Sequence, residues 1–394
     1  MAKIILKKGR DESLKRFHPW VFSGAIAQMV GTPAEGDLVD VYSAEGKLMA
    51  CGHYQIGSIA VRVLSFCGDP RSESFWKDAI ASALQMRRCA IPAGTDCYRL
   101  IHGEGDGLPG LIVDWYDGVC VMQAHSVGMF RARTRICEAL REVYGEELKA
   151  VYDKSSGTAP FKAGLELIDG YLWKAEGWDR PEASVSENGH RFLVNWEEGQ
   201  KTGFFLDQRE NRALVERFAA GRHVLNLFCY TGGFSVYALA GGALSVESVD
   251  SSAKAISLTD RNIALNFGDS APHVSHCEDA IDFLGNAPEG KYDLMIVDPP
   301  AFAKHRGALK NALRAYQRLN AAAISKVAPG GVVFTFSCSQ VVDKETFALT
   351  VFSAAAQTER NVRILDRLCQ GPDHPVSIYH PEGEYLKGLL LYVE

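Results

Sequence analysis

The 394-residue sequence predicts an α/β protein whose C-terminal half is a seven-stranded, doubly wound sheet with an antiparallel last strand. An N-terminal β-barrel and a small α+β module are expected before it. Three observations predict this. From residue 186 onward, apolar strand-like runs alternate with helical stretches, the rhythm of a parallel sheet covered on both faces. Before residue 72 the apolar runs are short and separated by turn glycines, with no helical period. At successive strand ends of the C-terminal half stand Gly-Gly, two lone acids, Asp-Pro-Pro and Ser-Cys-Ser, where such sheets bind their ligands.

At about 150 residues per domain the length corresponds to two or three domains. The boundaries expected are 1–71, 72–185 and 186–394. With 42 Lys and Arg against 48 Asp and Glu, the net charge of −6 excludes a surface basic throughout and leaves room for a local basic patch. The longest uncharged stretch, Val224 to Val246, is broken by Asn226, Thr231, Ser235 and two Gly-Gly pairs, so it reads as buried core and no membrane association is expected. The first residues contain no apolar block of signal-peptide length, and a cytoplasmic location is expected. The ten cysteines have neither zinc-knuckle spacing nor a small secreted scaffold to staple, so neither a metal centre nor a disulfide framework is expected.

In the first domain, strands are expected at Ile4–Leu6, Val39–Tyr42, Met49–Tyr54 and Ile59–Leu64, with Gly31, Gly36, Gly46 and Gly57 between them, as a small antiparallel barrel. Its first sixteen residues hold six basic and two acidic side chains. A solvated edge is the ordinary reading of such a run. Beside the aromatic segment Phe17 to Phe22, however, Lys7, Lys8, Arg10 and Trp20 suit RNA phosphates and unstacked bases. In the second domain, helices are expected at Phe75–Cys89 and Phe130–Tyr144, and a hairpin turns at Asp117-Gly118. Gly103 to Gly107 lacks the strand-before, helix-after setting of a phosphate loop and reads as a turn.

In the third domain, strands are expected at His223–Phe228, Leu244–Val249, His273–Cys277, Tyr292–Val297, Gly331–Ser337, Val362–Leu368 and Lys387–Val393. Helices are expected at Asp207–Ala219, Phe234–Ala240, Ala253–Asn266, Asp279–Leu284, Ala308–Val327 and Asp343–Thr358. Gln370 to Glu384 contains three prolines and no helix, so the last strand should run antiparallel.

Taken in turn, the strand ends describe a nucleoside site. The first gives Phe228, Tyr230 and Gly232, where glycines let backbone approach a ligand, with Asn226 on the strand itself. The absence of G-x-G-x-x-G disfavours a nicotinamide dinucleotide. Asp250, followed by Ser251, can accept both hydroxyls of a ribose, and Asp279, followed by Ala280, can accept from an adenine amino group. One such acid is more often a helix cap. Two of them after a Gly-Gly turn point to S-adenosylmethionine. Asp298, fixed by Pro299 and Pro300 and followed by Phe302, offers acceptors to a nucleobase. Cys338 then stands where a thiolate could add to C6 of a pyrimidine and make C5 nucleophilic.

At these residues the chain resembles the bacterial 23S ribosomal RNA (cytosine-5) methyltransferase I family. The resemblance is carried by His18-Pro-Trp-Val-Phe-Ser-Gly-Ala-Ile26, Gly103 to Asp114, Gly199 to Arg209, Leu225 to Phe234, Val249-Asp250, Glu278-Asp279, Asp298-Pro-Pro-Ala-Phe302, Phe336-Ser-Cys-Ser339, His374-Pro-Val and Pro381 to Gly388. It implies a PUA-like RNA-binding barrel, a class I Rossmann-like methyltransferase domain, S-adenosyl-L-methionine as cofactor, and 23S ribosomal RNA or a large-subunit precursor as partner, with a homodimer left open. Cys338 and Asp298 would be catalytic, and Gln208 and Arg209 would lie near cofactor or RNA. Two features depart from broader patterns. Pro300 and Ala301 stand where many RNA cytosine-5 enzymes carry a second cysteine, and Asn226 stands where many methyltransferases carry an acid. Two alternatives are weighed beside this reading. One is methylation of an exocyclic amine or purine ring nitrogen, which needs Asp-Pro-Pro but no cysteine. The other is a non-catalytic RNA-binding scaffold.

Overall fold

A computed structural model describes residues 2–160, 164–303 and 305–394. The chain divides into two compact units. The first comprises 1–185, 194–204 and 372–383, and the second 186–193, 205–371 and 384–394. The expected first and second domains thus belong to one unit, and two segments from beyond residue 186 return to it.

In the first unit, β1 (Lys3–Leu6), the short helix α1 (Glu12–Lys15), β2 (Trp20–Phe22), β3 (Ile26–Val30), β4 (Leu38–Tyr42), β5 (Leu48–Tyr54) and β6 (Ile59–Ser65) build a six-stranded sheet ordered β2-β6-β5-β4-β1-β3. Ile4, Leu6, Val39, Val41, Val61 and Val63 form its core. The expectation of an antiparallel barrel needs correction at one ladder. β1 runs parallel to β4, because β2 and β3 intervene in the chain and return it to the same end. Neither intervening strand has a clear sequence signal: β2 has three residues, and β3 (Ile-Ala-Gln-Met-Val) lacks clean alternation.

A second sheet comes next in the chain. Its elements are α2 (Phe75–Ala90), β7 (Cys97–His102), β8 (Leu111–Tyr116), β9 (Val119–Ala124), α3 (Val127–Tyr144), β10 (Ala150–Asp153) and β11 (Gly170–Lys174), with strand order β11-β10-β9-β8-β7. The β8–β9 hairpin turns at Asp117 and Gly118, both at positive φ (41° and 98°), as its sequence requires. The Gly103–Gly107 stretch is a structural turn. Its Asp106 takes a buried two-pronged ion pair from Arg87 at 2.5 and 2.7 Å. A Cβ on Gly105 would lie 1.9 Å from the Pro375 carbonyl, so glycine there lets residues 372–383 close onto the turn.

β12 (Glu182–Glu187) and β13 (His190–Asn195) form a two-stranded ladder. The second unit then builds α4 (Arg209–Phe218), β14 (His223–Leu227), α5 (Gly233–Ala240), β15 (Ser245–Asp250), α6 (Ala253–Phe267), β16 (His273–Cys277), α7 (Ala280–Asn286), β17 (Tyr292–Val297), α8 (Leu309–Lys326), β18 (Val327–Ser337), α9 (Lys344–Ala356), β19 (Val362–Cys369) and β20 (Lys387–Val393). The sheet order is β16-β15-β14-β17-β18-β20-β19. β14 to β18 pair in parallel, and β20 lies antiparallel between β18 and β19, as the missing crossover helix predicts. Alternate residues face opposite layers. Met295 and Val297 pack with Tyr316 and Leu319 of α8 and Phe347 of α9 on one side, while Leu294 and Ile296 pack with Val215 of α4 and Phe234 of α5 on the other.

Residues 186–193 are locked into this unit by charge. Arg212 Nε and a terminal guanidinium nitrogen donate to Glu187 Oε1 and Oε2, each at 2.7 Å, and the Tyr237 hydroxyl donates to Oε1 at 3.0 Å. Both partners of the ion pair are buried, so removing one strands the other's charge. Glu187→Ala should therefore destabilise this unit by about 3–5 kcal/mol in urea unfolding. A loss below about 1 kcal/mol would show that water compensates Arg212.

Candidate active site

The ligand end of a doubly wound sheet is built by the loops at the carboxyl ends of its parallel strands. After β14 the backbone turns through left-handed conformations at Phe228 (φ 58°), Tyr230 (48°) and Gly232 (73°). Two of these are not glycine, and such strain concentrates at ligand sites. The loop is held open by its own bonds: Cys229 N–H donates to the Val249 carbonyl at 3.0 Å, Thr259 Oγ1 to the Tyr230 carbonyl at 2.9 Å, and Asn262 Nδ2 to the Thr231 carbonyl at 2.8 Å. A Cβ on Gly232 would lie 2.6 Å from Thr259 Cγ2, so nothing larger than glycine fits the turn.

Asp250, immediately after that loop in space, accepts the Tyr230 amide on Oδ2 and the Ser252 amide on Oδ1, each at 2.9 Å. Each carboxylate oxygen has two acceptor positions, so both retain one for a vicinal diol. Ser251 is exposed beside it. Asp279 caps α7, its Oδ1 accepting the amides of Ile281 (2.8 Å) and Asp282 (3.1 Å). The helix-cap role and a ligand role coexist, because Oδ2 is not used in that cap. Ala280 is buried at the first position of α7.

Asp298 comes directly after β17. Gln208 Nε2 donates to its Oδ2 at 2.9 Å, and Asn211 Nδ2 in turn donates to Gln208 Oε1 at 2.6 Å. Gln208 is buried, and its amide fixes the position of the Asp298 carboxylate. Cys338 comes directly after β18, which pairs with β17 in the register Val297 with Thr335, and is partly exposed between two buried serines. The Tyr316 hydroxyl lies 3.0 Å from Ser337 Oγ and 3.1 Å from Ser339 Oγ, and the ring of Phe302 rests on Tyr316 at 4.6 Å. Lys387, at the start of β20 and buried, donates to the carbonyls of Ser339 and Val342, each at 2.6 Å. Burial brings the Lys387 ammonium down to about 8, against the opposing pull of a Cys338 negative charge. Cys229, a second thiol near these strand ends, is buried and pushed up to about 12, which disfavours it as a nucleophile.

Other sequence assignments stand differently. Asn226 is buried and donates to Ser235 Oγ at 2.8 Å, a bond inside the α5-covered face and not at the strand end. The RNA role expected of Arg209 is corrected, since its side chain is fully buried and pairs with Glu210. The RNA role expected of Trp20 is corrected too. Its indole N–H donates to Glu104 at 2.8 Å and its ring packs on His380 at 4.3 Å. Lys7, Lys8 and Arg10 are exposed, with Lys7 donating to the Gly24 carbonyl. Pro299 is buried behind Asp298. Tyr316 and Lys387 have no site signal of their own in the sequence. Lys387 depends on strand order, which places β20 against β18, and Tyr316 on the packing of α8 against the sheet.

Comparison with known proteins agrees with this geometry. Residues 161–390 match the model of the S-adenosylmethionine-dependent methyltransferase family, and residues 4–66 match a PUA-like domain. The ribosomal RNA large subunit methyltransferase I of Pseudoalteromonas atlantica is 41% identical over 398 residues, covering 100% of this chain and 99% of that protein. The protein of the same name from Escherichia coli O139:H28 is 38% identical, with 98% of each chain covered. Among solved structures, a SAM-dependent methyltransferase from Streptococcus mutans shares the fold over the full length of both chains (TM-score 0.83, 22% identity).

The residues fit the S-adenosylmethionine this family uses: Asp250 keeps one acceptor position on each oxygen for a ribose diol. Asp250→Ala should weaken cofactor binding by about 1–3 kcal/mol in calorimetry, the value of charge-assisted hydrogen bonds; unchanged affinity would place the ribose elsewhere. With the full-length identity and the strand-end geometry in agreement, the chain belongs to the ribosomal RNA large subunit methyltransferase I family of S-adenosylmethionine-dependent enzymes.

Proposed function

We propose that this chain methylates C5 of a cytosine in large-subunit ribosomal RNA, in the cytoplasm, through a covalent bond between Cys338 and C6. The observation that carries the reading is the setting of Cys338: a partly exposed thiol on the strand end next to Asp298, with its flanking serines tied by Tyr316 and its loop by the buried Lys387. Methylation of an amino group would give no reason for that setting. The ribosomal RNA substrate is taken from the names of the relatives. Lys7, Lys8 and Arg10 are proposed phosphate contacts of the PUA-like domain.

Bound S-adenosylmethionine supplies an electrophilic methyl group. C5 of cytosine is too weak a nucleophile to take it unaided. The Cys338 thiolate adds to C6, the C5=C6 double bond opens, and its electron pair becomes available at C5. Asp298, oriented by Gln208, accepts from the N4 amino group and balances the positive charge at N3 as N3 takes a proton from water. C5 forms the new carbon–carbon bond as the bond between the methyl group and the sulfonium sulfur breaks, which would leave a neutral thioether. Loss of the C5 proton to a base then re-forms the double bond and expels the thiolate. Lys387 favours the thiolate while it remains charged, below about pH 8.

Large-subunit RNA from a strain lacking this protein should gain one 5-methylcytosine with the wild-type enzyme and none with Cys338→Ala, as read by mass-spectrometric mapping. Full-rate transfer by the variant would move the reading to an exocyclic amine or ring nitrogen. Lys387→Met should slow alkylation of Cys338 by iodoacetamide below pH 8, with the difference from wild type shrinking above it, where Lys387 has lost its proton anyway. Equal rates below pH 8 would remove Lys387 from thiol activation.

A further inference from the structure

One feature of the second unit that the chemistry above leaves unused is a groove between α8 and α9, about 590 Å³ in volume. Both helices start shortly after catalytic strand ends: α8 after the Asp298–Phe302 turn and α9 after the Ser-Cys-Ser turn. The groove is lined from Arg306 to Gln317 and from Thr346 to Ser353, segments that follow those strand ends in the chain. It presents Lys310 and Arg314 four residues apart on one face of α8, and Arg306 on the 3-10 turn (Arg306–Ala308) that leads into the helix. All three lie at the surface, and among the described residues none has an ion-pair partner. The eighteen residues of α8 include no Asp or Glu at all. Across the groove α9 contributes Thr346, Thr350 and Ser353, with Leu349 left 65% exposed.

A solvated helix in a protein of net charge −6 would be expected to intersperse both signs, as i,i+4 pairs stabilise it. Here the cations are left uncompensated, at mutual repulsive cost, beside an exposed apolar side chain, while the α9 hydroxyls of Thr350 and Ser353 donate to carbonyls of their own helix. RNA satisfies that combination: guanidinium and ammonium groups neutralise the phosphates, and Leu349 offers a face to an unpaired base.

We propose that the α8–α9 groove is the track for the single-stranded RNA that flanks the target nucleotide, with Arg306, Lys310 and Arg314 each neutralising one phosphate. This inference rests on the reading of the chain as an RNA methyltransferase. It explains how a base reaches the strand ends unstacked, since the flanking backbone is held on the same edge.

The test uses the full-length protein, a large-subunit RNA fragment containing the methylated site, and the triple variant Arg306→Gln, Lys310→Gln, Arg314→Gln. RNA affinity is measured against salt, and cofactor affinity by calorimetry in parallel. The variant should keep wild-type cofactor affinity, bind RNA at least about tenfold more weakly at about 0.1 M salt, and show a log–log salt slope shallower by about 2, three phosphates at about 0.7 each. Wild-type RNA affinity and slope in the variant would overturn the track, as would a variant that loses affinity only for assembled large-subunit particles and not for naked RNA, which would assign the groove to an acidic protein. Should the triple variant lose cofactor binding, Lys310→Gln alone, expected to flatten the slope by about 0.7, decides the matter. Failure of the methyltransferase reading is distinguishable, because it would appear as absent methyl transfer by the wild-type protein.

Discussion

Parallel pairing of β17 with β18 is the constraint on which the catalytic edge depends. The register Val297 with Thr335 brings the two chains out of the sheet side by side, so that Asp298 and Cys338, forty residues apart, leave adjacent strand ends. A one-residue slip would exchange the buried and opposite faces of β18 along its length. β20 completes the arrangement from the other side. Gly388 pairs with Phe336, where a Cβ would meet the ring at 2.5 Å, and only with glycine there can Lys387 lie opposite Ser337 and reach the carbonyls beyond Cys338.

The buried ammonium is the least expected member of this assembly. Lys387 is desolvated, which opposes its charge, and is retained by two carbonyls and by the negative charge a Cys338 thiolate would bring. A buried lysine of this kind costs stability in isolation. In the proposed mechanism its cost has a chemical return, since the same charge that resists burial would favour the Cys338 thiolate. Tyr316 acts in parallel without charge: one hydroxyl spans both serines and keeps the turn from adopting other conformations.

Much of this is legible in the sequence, and the limits have physical causes. All seven strands of the large sheet in the second unit lie within a few residues of their expected places, because buried parallel strands are continuous apolar runs flanked by turn residues. The antiparallel last strand is legible in the missing crossover helix. Asp250 and Asp298 stand at strand ends as the sequence predicts, the positions where sheets of this kind bind ligands. Asn226 misleads, since position along a strand does not tell which face a side chain takes, and it faces Ser235. Arg209 and Trp20 mislead because charge and aromaticity suggest exposure, whereas burial and a bond to Glu104 use them internally. Lys387 reaches the Cys338 loop through pairing between distant strands, and Tyr316 through packing of α8 on the sheet, and no local pattern encodes either. The return of residues 194–204 and 372–383 to the first unit is equally invisible, although Gly105, which admits Pro375, carries its trace.

Covalent bonding of Cys338 to the base it activates is tested most directly with large-subunit RNA in which 5-fluorocytidine replaces cytidine, incubated with the protein and S-adenosylmethionine. Fluorine at C5 cannot leave as a proton does, so the thiolate cannot be expelled after methyl transfer. The predicted result is a protein–RNA adduct that survives denaturation, maps by mass spectrometry to Cys338, and is absent from Cys338→Ala. Methyl transfer to unsubstituted RNA with no adduct on the fluorinated RNA, or an adduct on another residue, would contradict it.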